Sequence, residues 1–201
     1  MASRGDRTGW SLGPRLLSLT GVSTEMVADV IQQELDELSL RLGFIAFAVQ
    51  RHGTGEYAVL AKADRGQGIR ITVGIGDTFP FSAPAIMRAF HAWSDPAEVE
   101  RQVAKHKVQE FTPETIAAPA ALRKELDATR ERGYGVSVRE YDLGQSGVSA
   151  PIFDAHGQVM LVLCALAFSS ELNEKNVGKA GELIRDCGLR ITARTGGAAP
   201  E

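Results

Sequence analysis

Apolar side chains follow a helical period near the start of the chain. They recur at steps of three and four residues over 23–42, at Val27, Ile31, Leu35, Leu38 and Leu42. This spacing predicts one amphipathic helix. Ser23 or Thr24 would cap its start, and Gly43 would end it.

Three shorter segments after this helix have the composition of β-strands. Glycine-bearing turns separate these segments, which cover residues 44–50, 56–63 and 69–73. The turns are His52-Gly-Thr-Gly55 and Arg65-Gly-Gln-Gly68. Short β-rich runs joined by such turns predict a meander of hairpins. Residues 74–81 are then predicted to form a loop.

The second half of the chain alternates between helical and strand-like patterns. We predict helices over 83–93, 96–107 and 119–132, then strands over 134–141, 148–153 and 158–168, and a last helix from Asn173. Ser82 and Asp95 are the predicted caps of the first two helices, and Gly133 is the predicted end of the third. The order predicts an α+β domain, a GAF-like antiparallel sheet of about six strands flanked by helices.

The composition is that of an ordinary globular protein and argues against several classes. The 201 residues are 44% hydrophobic and 23% charged, with a formal net charge of -3. Domains that bind DNA alone usually carry a basic face, so this charge argues against such binding here. No apolar run reaches the roughly 20 residues of a membrane helix. The two cysteines fit free buried thiols in a reducing compartment, and we predict a cytoplasmic protein.

Catalytic and metal-binding patterns are weak throughout the sequence. None of the histidines has a second ligand-type residue at metal-site spacing, and we predict that all four face solvent: His52, His91, His106 and His156. Gly74-Ile-Gly76 lacks the rest of a phosphate-binding loop. Cys164 lies in an apolar run, where a thiol is usually a small buried hydrophobe. Glu131 and Glu140 are interpreted as surface partners of neighbouring arginines. We therefore predict no enzyme, cofactor or metal.

Several short motifs lie in a fixed order along most of the chain. They are Gly9-Trp-Ser-Leu-Gly-Pro-Arg-Leu-Leu17, Gly76-Asp-Thr-Phe-Pro-Phe-Ser-Ala83, Arg88-Ala-Phe90, Phe111-Thr-Pro113, Arg130-Glu-Arg-Gly-Tyr-Gly-Val136 and Gly147-Val-Ser-Ala-Pro-Ile-Phe-Asp-Ala-His-Gly157. Their sequences and their order resemble the effector-binding domain of IclR-type bacterial transcription regulators. The resemblance covers residues 9–194.

The resemblance implies a domain organisation and a set of partners. Residues 1–22 would be the end of a winged helix and a linker helix, 23–195 the effector-binding domain, and 196–201 a disordered tail. The DNA-reading winged helix-turn-helix would be missing, so DNA would be contacted only through that missing domain. A homodimer or tetramer that binds a small-molecule effector and no membrane is expected.

The resemblance also implies a ligand pocket over the sheet. The corresponding positions are Ala85, Ile86, Ser137, Gly147, Cys164 and Leu166, with Met87 where a glycine is common. Phe79 and Phe81 would line the cavity or cap the core. Because few of these side chains are polar, we expect an aromatic acid, a phenolic compound or a lactone rather than a short oxo-acid. The alternative is an oligomerisation module with a non-functional pocket.

Overall fold

The computed structural model describes residues 24–53, 55–66 and 68–200. The predicted segment 1–22 and the Ser23 cap lie outside these residues. The helices are α1 Thr24–Leu42, α2 Pro84–His91, α3 Pro96–His106, α4 Pro119–Arg132 and α5 Val177–Arg194. The strands are β1 Ile45–His52, β2 Glu56–Ala63, β3 Thr78–Pro80, β4 Gly135–Val138, β5 Gln145–Phe153 and β6 Val159–Phe168. The α+β prediction is confirmed.

The six strands form one antiparallel sheet in the order β3-β2-β1-β6-β5-β4. Its two halves, β1–β3 and β4–β6, are far apart in sequence and join at the centre, where Phe47 of β1 lies opposite Cys164 of β6. This pairing brings side chains of the first strand beside those of the last three.

Each face of the sheet carries its own hydrophobic core. On one face α1 and α5 cover the sheet, with Leu35, Leu163 and Ile184 fully buried. On the other face α2 packs on β4, β5 and β6, and its apolar side chains join those of β1 and β2 around Phe47 and Phe90. A third apolar cluster lies behind α2, between that helix, α3 and α4. All eight residues of α2 are buried as a result.

The third strand differs from its prediction. Residues 69–73 are not a strand, and β3 lies within the predicted loop. The Asp77 carboxylate accepts a hydrogen bond from Gly74 N at 2.6 Å, which closes a turn just before β3. Gly76 N then donates to Val59 O, and Val59 N donates to Asp77 O, both at 2.9 Å. This turn sets the register, so the strand that pairs with β2 begins at Thr78.

The helix ends agree with the predicted caps in two cases and differ in one. Asp95 accepts hydrogen bonds from the N–H groups of Ala97 and Glu98, and Gly133 ends α4 with φ 85. The predicted Ser82 cap is wrong, because the N-cap of α2 is Ala83, which makes no side-chain cap bond. Pro84 takes the first helical position and so makes Ala83 the flanking residue. The helix ends at His91 rather than Trp93.

Two further boundaries shift for local reasons. Strand β4 stops at Val138, because Arg139 adopts φ 58 and turns the chain. Helix α5 begins four residues later than predicted, after a turn in which Asn173 N donates to Asn176 Oδ1. At the C-terminal end of the described chain, two backbone hydrogen bonds join residues 197 and 198 to the fold. Gly197 N donates to Thr192 O and Ala198 N to Asp154 O.

Candidate ligand-binding pocket

A pocket lies between the start of α2 and the sheet. The strand register places its floor residues in two rows that cross the sheet. One row is Ser137, Gly147 and Leu166, directly opposite one another on β4, β5 and β6. The next row contains Ser149 of β5 and Cys164 of β6, followed by Phe47 on β1. Because these positions differ by two residues along each strand, both rows face the same side of the sheet.

The structure brings most of the predicted site residues together. Seven of them line the pocket, namely Phe79, Ala85, Ile86, Ser137, Gly147, Cys164 and Leu166. Gly135 lets the helix approach the sheet, because a Cβ there would lie 2.6 Å from Ala85 O. A Cβ at Gly147 would lie 2.6 Å from Leu166 Cδ2, so this glycine makes room for the leucine.

Phe81 and Met87 do not join the pocket. Both belong to the apolar cluster behind α2. Met87 follows Ile86 on the helix and therefore points about 100° away from it. The Phe81 ring packs on His91 and His106, with centroid distances of 5.3 and 4.9 Å. Phe81 and Met87 therefore pack in the core and do not line the cavity.

The pocket offers few polar groups. Ser149 Oγ lies 3.6 Å from Cys164 Sγ. Burial raises the pKa of the Cys164 thiol to about 12, although its contact with Ser149 acts in the opposite direction. The thiol is therefore protonated at neutral pH. Ser146 Oγ is buried and has no hydrogen-bond partner among the described residues.

Aromatic side chains form one wall of the pocket. Phe79 stacks on Phe47 with a centroid distance of 5.6 Å. Tyr141 meets the Phe79 ring edge-on at 6.2 Å and the Phe111 ring at 4.7 Å. The remaining cavity is about 30 Å³, and a single water needs about 10–15 Å³ on such a measure. A ring-sized ligand would thus have to displace this wall.

The sequence analysis missed several of the lining residues. These are Phe47, Ala83, Pro84, Tyr141, Gln145, Ser146 and Ser149. Ser149 follows Gly147 by two positions, so strand periodicity could have found it. No local signal identifies Phe47, since it reaches the pocket only through the long-range pairing of β1 with β6.

A buried ion pair holds α2 against the edge of the sheet. The Arg88 guanidinium donates to both oxygens of Glu140, at 2.6 Å to Oε1 and 2.5 Å to Oε2, and also to Val136 O. Their side chains are only 1% and 8% exposed. The interpretation of Glu140 as a surface partner of its neighbouring arginine is therefore wrong. The carboxylate points inward because the turn at Arg139 redirects the chain.

The loop before α4 completes the environment of this ion pair. Ile116 N donates to Glu140 Oε2 at 3.1 Å. The hydroxyls of Thr112 and Thr115 donate to the backbone oxygens of Arg139 and Glu140, at 2.8 and 2.7 Å. The motif Phe111-Thr-Pro113 thus lies beside the segment that carries Tyr141. The ion pair couples the wall of the pocket to α2.

The histidine predictions hold only in part. His52 and His156 are exposed and His106 is half-buried, but His91 is buried on α2. Within the described ranges, no group of three or more His, Cys, Asp or Glu side chains could hold a metal ion. In the same part of the chain, no helix is both long enough and apolar enough to cross a bilayer.

The fold and this site define the class. An antiparallel sheet with an apolar pocket beneath one covering helix is the arrangement of GAF-like small-molecule sensor domains. The family model described as "Bacterial transcriptional regulator IclR C-terminal" matches residues 20–193. The chain belongs to this IclR C-terminal family.

Individual relatives agree with this assignment. The chain is similar to the HTH-type transcriptional regulator XynR of Escherichia coli, with 28% identity over 61% of this chain and 48% of that protein. It is 25% identical to the regulator KipR of Bacillus subtilis over 86% of this chain and 71% of KipR. A crystal structure of an IclR transcriptional regulator from Alicyclobacillus acidocaldarius matches with a TM-score of 0.77 and 28% identity, over 85% of this chain and 68% of that one.

These relatives are transcriptional regulators, which confirms the prediction that the chain is not an enzyme. The chain spans about half the length of XynR.

Proposed function

We propose that this domain senses a small, largely apolar metabolite and passes its occupancy to an attached helix-turn-helix domain that reads DNA. The observation that supports the proposal most directly is the pocket under α2. Its walls are mainly aromatic and aliphatic side chains, and Ser137 and Ser149 are among its few polar groups. Such a lining favours an aromatic acid, a phenolic compound or a lactone over a short oxo-acid.

An acid group on the ligand would be bound by the start of α2. Ala85 N and Ile86 N have no acceptor among the described residues, since the first bond of this helix runs from Met87 N to Ala83 O. Free N–H groups at a helix start, together with the helix dipole, favour a negative charge. Ligand entry would require Tyr141 to swing away from Phe79.

Effector binding would act through a homodimer or tetramer. A ligand that favours one arrangement of the subunits shifts the population toward it and changes the spacing of the DNA-reading domains. Light scattering of the purified chain, with and without ligand, measures the number of subunits in the oligomer.

A second candidate function is an oligomerisation module that binds no effector. The cavity of about 30 Å³ favours this alternative, because an apolar cavity that binds benzene in another protein is about 150 Å³. The two candidates differ in one observable, since only a sensor is stabilised by a ligand.

Thermal unfolding against a panel of benzoate, phenol, a lactone and pyruvate tests the proposal. A ligand at 100 times its Kd stabilises by about 2.7 kcal/mol, or roughly 5–10 °C for a domain of this size. The variant Ala85→Leu fills the pocket and should abolish the shift. Ala120→Leu makes the same change on an exposed helix position and should retain it. A shift with pyruvate alone would contradict the apolar effector, and no shift with any compound would favour the oligomerisation module.

A further inference from the structure

A second cavity lies at the other end of α2, beside the hairpin of β1 and β2. Its volume is about 240 Å³, and among the described residues it shares no lining residue with the first pocket. Arg51 and Tyr57 are directly opposite each other on the two strands, and His91 lines the same cavity from α2. Lys105 and His106 close the cavity from the end of α3.

Two buried donors in this cavity have no acceptor. Tyr57 Oη and His91 Nε2 lack hydrogen-bond partners among the described residues, and each residue is only 2% exposed. The Tyr57 ring is fixed by stacking on Phe90 at 4.9 Å. Buried polar groups are nearly always paired, so two unpaired ones in one cavity indicate a missing acceptor.

The environment of His91 identifies its free nitrogen as a donor. Arg51 Nη2 lies 3.5 Å from His91 Nδ1, and because a guanidinium only donates, Nδ1 must accept. Burial lowers the pKa of His91 to about 3, and the charge of Arg51 acts in the same direction. The ring is therefore neutral at pH 7 and carries its single proton on Nε2.

The lining of the cavity carries two positive side chains, Arg51 and Lys105, and the Glu98 carboxylate beside it acts electrostatically on both Arg51 and His91. Neither Arg51 nor Lys105 forms an ion pair within the part of the chain that the structure describes. Arg51 lies over the Phe90 ring at 5.4 Å, which orients its guanidinium. Glu56 supplies the one carboxylate of the lining, from an exposed position at the start of β2.

We propose that this cavity binds a small organic anion through a carboxylate group. The carboxylate oxygens would accept hydrogen bonds from Tyr57 Oη, His91 Nε2 and Arg51, and Lys105 would add a second positive charge. An acceptor-only group matches a site whose two unpaired buried atoms, Tyr57 Oη and His91 Nε2, can both donate. Inorganic phosphate shares this chemistry, and the test separates the two.

Calorimetric titration with succinate and with inorganic phosphate, at constant ionic strength, measures this binding. A carboxylate should bind to the wild-type chain, and Tyr57→Phe should weaken it by about tenfold or more. This variant keeps the stacking ring and removes only the hydroxyl. Tyr134→Phe is the matched control, because Tyr134 lies outside both cavities and packs against α5. Lys105→Met should also weaken binding, whereas Lys124→Met on the exposed face of α4 should not.

The stability of the ligand-free variants provides an independent readout. Since the Tyr57 hydroxyl has no partner to lose, Tyr57→Phe should unfold at the same temperature as the wild type or a higher one. Ala85→Leu, which blocks the first pocket, should leave succinate binding intact. The anion site in the second cavity is thus tested separately from the proposed effector site. Equal affinities for the wild type and Tyr57→Phe, binding of phosphate alone, or a less stable Tyr57→Phe would each overturn the proposal.

Discussion

Removal of Arg88 is expected to destabilise the domain far more than removal of an exposed arginine. The Glu140 carboxylate is 8% exposed, and in Arg88→Met it would keep only the bond from Ile116 N. A buried charge that loses its partner costs about 3–5 kcal/mol of folding free energy. For a domain of this size, that loss lowers Tm by roughly 6–20 °C.

Equilibrium unfolding in urea, followed by circular dichroism at one protein concentration, measures the loss. The matched control is Arg123→Met, which breaks an ion pair with Glu100 at 2.7 Å whose side chains are 65% and 63% exposed. That variant should lose less than about 1 kcal/mol, because solvent screens exposed pairs.

The double variant Arg88→Met with Glu140→Leu separates the ion pair from simple packing. It removes both charges, so it should be more stable than Arg88→Met by about 2 kcal/mol or more. If Arg88→Met costs no more than Arg123→Met, the ion pair does not hold α2 on the sheet. The same conclusion follows if the losses in the single variants Arg88→Met and Glu140→Leu add up to the loss in the double variant.

Three further predictions follow from buried groups elsewhere in the domain. The Cys164 thiol, whose pKa burial raises to about 12, should resist alkylation at pH 8 until the protein is unfolded, and rapid labelling of the folded chain would show an open pocket. Gly181→Ala should destabilise by about 1–3 kcal/mol, because its Cβ would lie 2.0 Å from Tyr134 Cε2; a helix-propensity effect alone would stabilise. Burial alone would raise the pKa of Glu34, but its ion pairs with two arginines of α5 hold that pKa below its ordinary value. This carboxylate thus stabilises the fold above pH 4.5 and less as the pH falls through its lowered pKa, so Glu34→Gln should be destabilising at pH 7 and converge on the wild type in acid.

The sequence predicted most of the fold because its signals are local. Proline and glycine marked both ends of α4, and Asp95 marked the start of α3. The third strand failed because its register depends on the Asp77 carboxylate, a single side-chain contact with no periodic signature. His91 and Glu140 were both assigned to the surface, since their burial depends on how distant segments meet.

The site was predicted to the extent that it follows strand and helix order. Ser137, Gly147, Cys164 and Leu166 came together because they share a face of neighbouring strands. Met87 was misplaced because one residue along a helix turns the side chain by about 100°. The second cavity had no sequence signal, since it is formed where the β1–β2 hairpin meets the ends of α2 and α3.

Helix α2 is the element that both cavities share. Ala85 and Ile86 line the first pocket, Arg88 is held by Glu140 at the middle of the helix, and His91 lines the second cavity. Because α2 is buried along its whole length, we expect it to move as a unit. By thermodynamic linkage, any change in benzoate affinity caused by succinate is matched by an equal change in succinate affinity caused by benzoate. The quantity to measure is the ratio of the benzoate affinities with and without succinate. If this ratio differs from one in the wild type and returns to one in Arg88→Met, α2 connects the two cavities.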